Sequence, residues 1–175
     1  AYKKFGNGEP ILLVSPAQGD MNTWDPSLLS DLSSNHTVIV FDSRGVGNTT
    51  SGNSPFSVQQ FANDTAGFLD ALKIHSADVL GYSLGSFIAQ AFTISNPEKV
   101  NSLILVASTC GGKDGIDQPP EFKKLQSEVV NKSQNNIPIT TDEIKYLVAT
   151  SDGSGWIKLH PESLEGFENI TSLQQ

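Results

Sequence analysis

A single stretch, Val79 to Ser86, joins two different hydrophobic periodicities around one serine. It opens with a short apolar run, as a buried strand does, and continues as Gly81-Tyr82-Ser83-Leu84-Gly85, a G-x-S-x-G sequence. The apolar residues that follow recur at helical spacing: Leu84, Phe87, Ile88, Ala91 and Phe92. The pattern predicts a sharp strand–turn–helix connection with Ser83 on the turn.

The composition of this turn has a chemical consequence. Side chains at positions 81 and 85 would collide with neighbouring backbone in so sharp a turn, so glycine is favoured at both. The turn would hold the Ser83 hydroxyl over the start of a helix. A helix N-terminus offers free N–H groups and a partial positive charge, which stabilise an oxyanion. Ser83 is therefore predicted to be a catalytic nucleophile.

Short apolar runs alternate with helical patterns through the first part of the chain. The predicted strands are Tyr2–Phe5, Ile11–Val14, Val38–Phe41, Val79–Leu80 and Leu103–Ala107. Three helices are predicted between these strands. The first begins at Asp25-Pro26 and the second follows a capping box formed by Ser57 and Gln60. The third begins after Ser83 and ends before Asn96-Pro97. Continuous apolar strands between helices predict an α/β fold with a parallel, doubly wound sheet.

The pattern changes after Ser108, where strand signals end and helical ones continue. Amphipathic helices are predicted over Glu121–Lys132 and Asp142–Ala149, with a short one over Ser163–Asn169. We therefore expect two parts, an α/β core over residues 1–109 and a helical segment over residues 110–175.

Further motifs occur in the order found in one large family. Asp42-Ser43-Arg44-Gly45-Val46-Gly47 follows the strand before the serine turn, and the loop after Ile11 precedes both. With the G-x-S-x-G turn, these motifs resemble those of the α/β-hydrolase fold superfamily. The resemblance implies a serine hydrolase without a cofactor, acting on a small carboxylic ester, thioester or lactone through an acyl-enzyme on Ser83. It also implies an oxyanion hole formed by the N–H groups of Ala17 and Leu84, and a cap (lid) after the core.

The sequence departs from the family pattern in two places. Ser15-Pro16 stands where many members have His-Gly, although the N–H donor at the next residue, Ala17, is retained. The family places its catalytic acid and histidine after later strands, and no such strand pattern follows Ala107. We therefore expect the C-terminal part of the core to be absent from this chain. The partner expected at the open sheet edge is a C-terminal fragment of the same protein or a second copy.

The remaining candidates for the catalytic acid and base are weak. His36 and His75 precede strands, so they are expected at the amino ends of the sheet, opposite Ser83. His160 follows Ser83 but stands beside a proline in an irregular segment. Asp114 and Asp117 follow the last predicted strand, where some family members carry their acid, yet a solvated loop is the simpler interpretation. Asp42 and Arg44 are expected to tie loops together.

Charge and composition exclude several other classes of function. The net charge of -8 disfavours nucleic acid and anionic membrane surfaces as partners. One cysteine, Cys110, excludes an internal disulfide, so a cytoplasmic location is the default expectation. No cluster of residues has metal-ligand spacing, so no metal is expected.

Two alternatives remain open beside the serine hydrolase. The chain could be a truncated or degenerate relative that acts as a non-catalytic binding module. It could also be a cofactor-free perhydrolase, or a C–C hydrolase or lyase, of the same fold, because one fold supports several reactions.

Overall fold

The computed structural model describes residues 1–17, 19–110, 120–135, 137, 138, 140 and 143. The chain divides into two compact units, Ala1–Asp114 and Gly115–Gln175, which are described separately.

The first unit alternates strands and helices. Its strands are β1 (Tyr2–Phe5), β2 (Glu9–Val14), β3 (His36–Phe41), β4 (Ala77–Tyr82) and β5 (Val100–Val106). Its helices are α1 (Pro26–Ser33), α2 (Val58–Ala71) and α3 (Leu84–Ser95), followed by a 3-10 turn at Pro97–Lys99. Asp25 caps α1 and Ser57 caps α2 by accepting backbone N–H groups, as the sequence predicts.

The strands form one sheet in the order β1-β3-β2-β4-β5. The β2–β3, β2–β4 and β4–β5 pairs are parallel, which confirms the predicted α/β class. The sheet is mostly parallel, with the exception of β1, which pairs with β3 in the antiparallel sense.

The turn between β1 and β2 explains that exception. Gly6 and Gly8 have φ values of +81° and +125°, and a Cβ on either would lie within 2.3 Å of the backbone oxygen of His36 or Asn35. The turn therefore crosses closely over the amino end of β3, which only glycine permits. As a result β1 pairs with the outer edge of β3 rather than with β2, its neighbour in sequence.

Helices pack on both faces of the sheet. On one face α2 and α3 cover a buried cluster: Leu12, Val14, Ile39, Phe41, Ala62, Leu69, Val79, Ile88, Ala89 and Phe92. On the other face Leu29 and Leu32 of α1 cover a second cluster: Ile11, Leu13, Met21, Trp24, Val38, Val40 and Leu80. Successive residues of β2 and β3 alternate between the two clusters, which is why both strands are apolar throughout.

The edge strand β5 is covered much less than the other parallel strands. Four consecutive apolar residues of β5 are between 36% and 42% exposed: Leu103, Ile104, Leu105 and Val106. Because successive side chains of a strand point to opposite faces of the sheet, these four residues report on both faces. Both faces of β5 are therefore partly open, and within the described residues only β4 pairs with it.

The second unit contains α4 (Pro120–Gln134), which includes the predicted helix over residues 121–132. Lys132 on this helix pairs with Glu143, whose carboxylate also accepts the backbone N–H of Thr140. The Lys132 hydrogen bond, more than any other contact, lowers the pKa of Glu143 to about 2. The other two helices predicted for this region fall outside the described residues, Glu143 excepted. In the described part of the chain no helix has both the length and the apolar character needed to cross a bilayer.

Candidate active site

Ser83 occupies a strained turn between β4 and α3. The strand ends at Tyr82 and the helix begins at Leu84, so one residue makes the whole connection. Ser83 has φ 52° and ψ -117°, a conformation that costs a residue with a side chain on the order of 1–3 kcal/mol. The predicted strand–turn–helix geometry is confirmed, and its strain is confined to the residue that carries the hydroxyl.

Two close backbone approaches account for the glycines of the turn. A Cβ at position 81 would lie 2.5 Å from the carbonyl oxygen of Gly85. A Cβ at position 85 would lie 2.0 Å from the carbonyl oxygen of Val14, the last residue of β2. The start of α3 thus packs directly on the end of β2, and any side chain at position 85 would push them apart.

Backbone hydrogen bonds hold Ser83 on both sides. Its N–H donates to the carbonyl oxygen of Val106 on β5 at 3.0 Å. Its carbonyl oxygen accepts the Ser86 N–H at 2.9 Å and the Ser86 hydroxyl at 2.6 Å. The Ser83 side chain is half-buried, and its hydroxyl makes no hydrogen bond to another described residue. The main chain is therefore fixed while the hydroxyl remains available.

The loop after β2 leaves the sheet beside this turn. Val14 is in register with Gly81, so both connections emerge at the same edge of the sheet. Ala17 lies exposed in a turn that the Gly19 N–H closes by donating to the Pro16 carbonyl oxygen at 3.1 Å. Leu84 is the first residue of α3, where a backbone N–H has no acceptor within the helix.

Trp24 is a residue near the site that the sequence interpretation missed. Its indole N–H donates to the Ser15 hydroxyl at 3.2 Å, and its ring centroid lies 6.5 Å from that of Tyr82. A tryptophan shortly after a buried strand was the available signal, but an aromatic residue in a loop usually indicates packing alone.

The two described histidines lie at the other end of the sheet. His36 begins β3 and His75 precedes β4, as predicted. Since β4 has six residues, about 20 Å of strand separates its amino end from Ser83. Neither histidine can reach the Ser83 hydroxyl. The weaker candidates His160, Asp114 and Asp117 lie outside the described residues.

Asp42 and Arg44 tie loops together, as predicted. The buried Asp42 carboxylate accepts the Met21 N–H at 2.7 Å and the Asn48 N–H at 2.8 Å, which joins the loops after β2 and β3. The Arg44 guanidinium forms a bidentate pair with Asp64 on α2, and this contact lowers the pKa of Asp64. Both residues therefore have a structural role beside the site.

A cavity of about 290 Å³ lies next to these loops and does not include Ser83 among its lining residues. Its walls include Phe41, Phe61 and Phe68, with the Arg44–Asp64 pair between them. Arg44 and Asp64 pair with each other, and the Asp42 carboxylate, which also lines the cavity, accepts the Met21 and Asn48 N–H groups.

The described residues contain no cluster of metal-ligating side chains. Cys110 is exposed at the end of the first unit. The reactive group that these residues place at the end of β4 is thus the hydroxyl of a strained serine.

Comparison with known proteins agrees with this geometry. The profile of the α/β-hydrolase fold matches residues 9–139, and the chain belongs to this family. Members of the family are in general hydrolytic enzymes.

Two relatives from bacteria carry functional names. The chain is 35% identical over 143 residues to "Putative non-heme bromoperoxidase BpoC" of Mycobacterium tuberculosis H37Rv, which covers 81% of this chain and 53% of that protein. It is 34% identical over 105 residues to "Putative carbamate hydrolase RutD" of Azorhizobium caulinodans, which covers 60% of this chain and 39% of that protein. The chain thus spans about half the length, or less, of these relatives.

Solved structures show the same architecture. A marine microorganism esterase superposes with a TM-score of 0.68 at 23% identity, covering 91% of this chain and 60% of the esterase. The crystal structure of BpoC superposes with a TM-score of 0.67 at 25% identity, covering 93% of this chain and 62% of BpoC.

Proposed function

We propose that the chain carries the nucleophile and the oxyanion hole of a serine hydrolase. The observation that carries this proposal is the conformation of Ser83, a strained residue between two glycines that backbone contacts require. Strain of this kind is retained at functional sites because the surrounding structure enforces it. A packing role alone would favour glycine at this position.

The proposed reaction proceeds through an acyl-enzyme. The Ser83 hydroxyl oxygen attacks the acyl carbon of the substrate while a base removes its proton. The N–H groups of Ala17 and Leu84 donate to the oxyanion that forms on the carbonyl oxygen. The leaving group departs with a proton, and water then attacks the acyl carbon and releases the acid and free Ser83.

The base and its orienting carboxylate are not among the residues near Ser83 in the described part of the chain. A serine hydroxyl is a weak nucleophile without such a base. We therefore propose that the histidine and the acid come from a C-terminal fragment of the same protein, with His160, Asp114 and Asp117 as the candidates within this chain. The chain together with that proposed fragment is called the native-length protein below.

The substrate class is proposed as a small carboxylic ester, thioester or lactone. Similarity to a protein named as a carbamate hydrolase supports attack on an acyl carbon. Residues 110–175 are proposed to form the cap that encloses the substrate, because the family places such an insertion after this part of the core.

A second candidate function has one observation in its favour. The similarity to a protein named as a non-heme bromoperoxidase suggests a cofactor-free perhydrolase. In that reaction hydrogen peroxide replaces water in the second step. Its oxygen attacks the acyl carbon, the bond to Ser83 breaks, and a peracid is released.

Active-site labelling of the native-length protein tests the proposal. A fluorophosphonate probe should modify Ser83, with a phosphorus–oxygen bond replacing the phosphorus–fluorine bond, and Ser83→Ala should abolish both labelling and ester hydrolysis. A panel of short and long acyl esters, with and without hydrogen peroxide, separates the two candidate reactions. Labelling at another serine, or activity that survives Ser83→Ala, would refute the assignment and favour a binding module.

We also propose that a further strand of the same protein pairs with β5. The support is the exposure of both faces of this apolar edge strand, together with the greater length of the relatives. Pairing with a second copy is the alternative.

A further inference from the structure

We propose that Ser15 and Trp24 are positioning residues that fix the direction of the Ala17 N–H toward Ser83. This inference rests on the proposed function, because it concerns the same oxyanion hole. It goes beyond that function by assigning a task to two residues that touch no substrate.

The Ser15 hydroxyl lies at the centre of the loop that carries Ala17. It accepts the Trp24 indole N–H at 3.2 Å and donates to the Asp20 carbonyl oxygen at 3.3 Å. Ser15 and Trp24 are 3% and 8% exposed, so water does not replace either bond readily. One hydroxyl thus joins the start of the loop to its middle and to its end.

A hydroxyl is suited to this position because it donates and accepts at once. An alanine would leave the buried indole N–H and the Asp20 carbonyl oxygen without this partner. The Asp20 carbonyl oxygen would keep the Thr23 N–H as a donor at 3.2 Å, whereas the buried indole N–H would be unsatisfied. An unsatisfied buried polar group costs about 1–3 kcal/mol, so the loop would rearrange to satisfy the indole. Ala17 lies between these attachment points and would move with the loop.

The same loop is linked to the nucleophile from its other side. The Trp24 ring lies against Tyr82, the residue immediately before Ser83. The Met21 N–H donates to the buried Asp42 carboxylate, which anchors the loop to the neighbouring strand. Trp24 therefore contacts both the hydroxyl that closes the loop and the strand end that carries the nucleophile.

A positioning role predicts a particular kinetic effect. An oxyanion donor acts mainly in the transition state, so its displacement slows the reaction step more than it weakens ground-state binding. Misplacement of a catalytic group by about 1 Å can slow a reaction by about a hundredfold. We therefore expect the reaction step to slow ten- to hundredfold, which is less than the full effect of removing one oxyanion donor.

The test measures phosphonylation of Ser83 in the native-length protein by the fluorophosphonate probe. Ser15→Ala and Trp24→Phe should each lower the maximal labelling rate about ten- to hundredfold, with the half-saturating probe concentration nearly unchanged. The double variant should be little slower than either single variant, because both substitutions remove the same Ser15–Trp24 hydrogen bond. Thr65→Val is the matched control: it removes a buried hydroxyl on α2 that bonds only within its helix, and should leave the rate unchanged.

A second measurement reports the network itself. The indole N–H of Trp24 should exchange slowly with deuterium in this chain, and Ser15→Ala should accelerate its exchange. Trp24→Phe retains an aromatic ring, so it gives the kinetic answer even where Ser15→Ala fails to fold.

The outcomes separate the two proposals. If the parent protein is labelled at Ser83 and neither variant slows the maximal rate, the positioning role is wrong while the proposed function stands. An increase in the half-saturating concentration alone would also overturn it. If the parent is not labelled at Ser83, the proposed function fails and the positioning role fails with it.

Discussion

The N–H of Ser83 donates to the carbonyl oxygen of Val106 at 3.0 Å and thereby ties the turn to the edge strand β5. The residue after Val106, Ala107, has φ 51°, close to the 52° of Ser83. Each of these two neighbouring strands is thus followed by a residue with positive φ, and one hydrogen bond joins Ser83 to the last residue of β5. The conformation of Ser83 depends on β5 holding its place, although β5 is the least covered of the parallel strands.

The strain at Ser83 should be measurable as stability. Ser83→Gly should raise the free energy of unfolding by about 1 kcal/mol relative to Ser83→Ala, because only glycine adopts this φ without a steric cost. Urea unfolding of the two variants gives the difference. Both lack the hydroxyl, so neither should react with the fluorophosphonate probe.

This comparison has an internal control in Lys73, which also has a positive φ, 57°, but follows α2 away from the site. Lys73→Gly should show a similar gain over Lys73→Ala without affecting labelling. Equal stability of Ser83→Gly and Ser83→Ala would mean that the turn is not strained.

The glycines of α2 and α3 should respond in opposite directions to the same substitution. Gly85→Ala places a Cβ 2.0 Å from the Val14 carbonyl oxygen and should destabilise the protein by at least about 2 kcal/mol. Gly67, an exposed residue inside α2, has nothing within 4 Å of its Cβ position. Gly67→Ala should therefore stabilise the protein by about 1 kcal/mol, the difference in helix propensity. Thermal unfolding measures both, and a stable Gly85→Ala variant would contradict the close contact.

These examples show which features the sequence could predict. The Ser83 turn could be predicted from local sterics, because G-x-S-x-G between a strand and a helix allows few other backbone conformations. The pairing of β1 with β3 was not predictable, since Gly6 and Gly8 favour a turn without saying which strand the chain reaches next. The Ser15–Trp24 bond depends on how a loop folds back, which periodicity does not encode. The roles of Asp42 and Arg44 could be anticipated because charged groups at strand ends need partners.

The Arg44–Asp64 pair should make stability depend on pH. Arg44 lowers the pKa of Asp64 from its usual 3.8, mainly by hydrogen bonding. A carboxylate with a lower pKa in the folded state stabilises the fold above its unfolded pKa and loses that effect as the pH falls through the folded value. The stability difference between the parent and Asp64→Asn should therefore be constant above about pH 5 and shrink progressively below pH 3.8.

Asp31→Asn serves as the control for this titration, because it removes the same charge from an exposed position on α1. Urea midpoints of the three proteins between pH 3 and pH 7 give the comparison. A stability difference between the parent and Asp64→Asn that does not change with pH would show that the charge of Asp64 does not contribute to the stability of the fold.

The last prediction concerns the open edge at β5. If a further strand of the same protein pairs there, the outward-facing amide groups of β5 should exchange slowly with deuterium in the native-length protein and rapidly in this chain alone. The chain alone should also label at Ser83 far more slowly if the further part of the protein supplies the base, and an unpaired β5 would hold the Ser83 N–H less firmly through Val106. If the chain instead forms dimers, protection of β5 should rise with its concentration, and Ile104→Lys should abolish it by placing a charge on the exposed strand. A chain that stays monomeric, is stable and is fully active would refute both forms of pairing, and His160→Ala would then be the first test for the missing base.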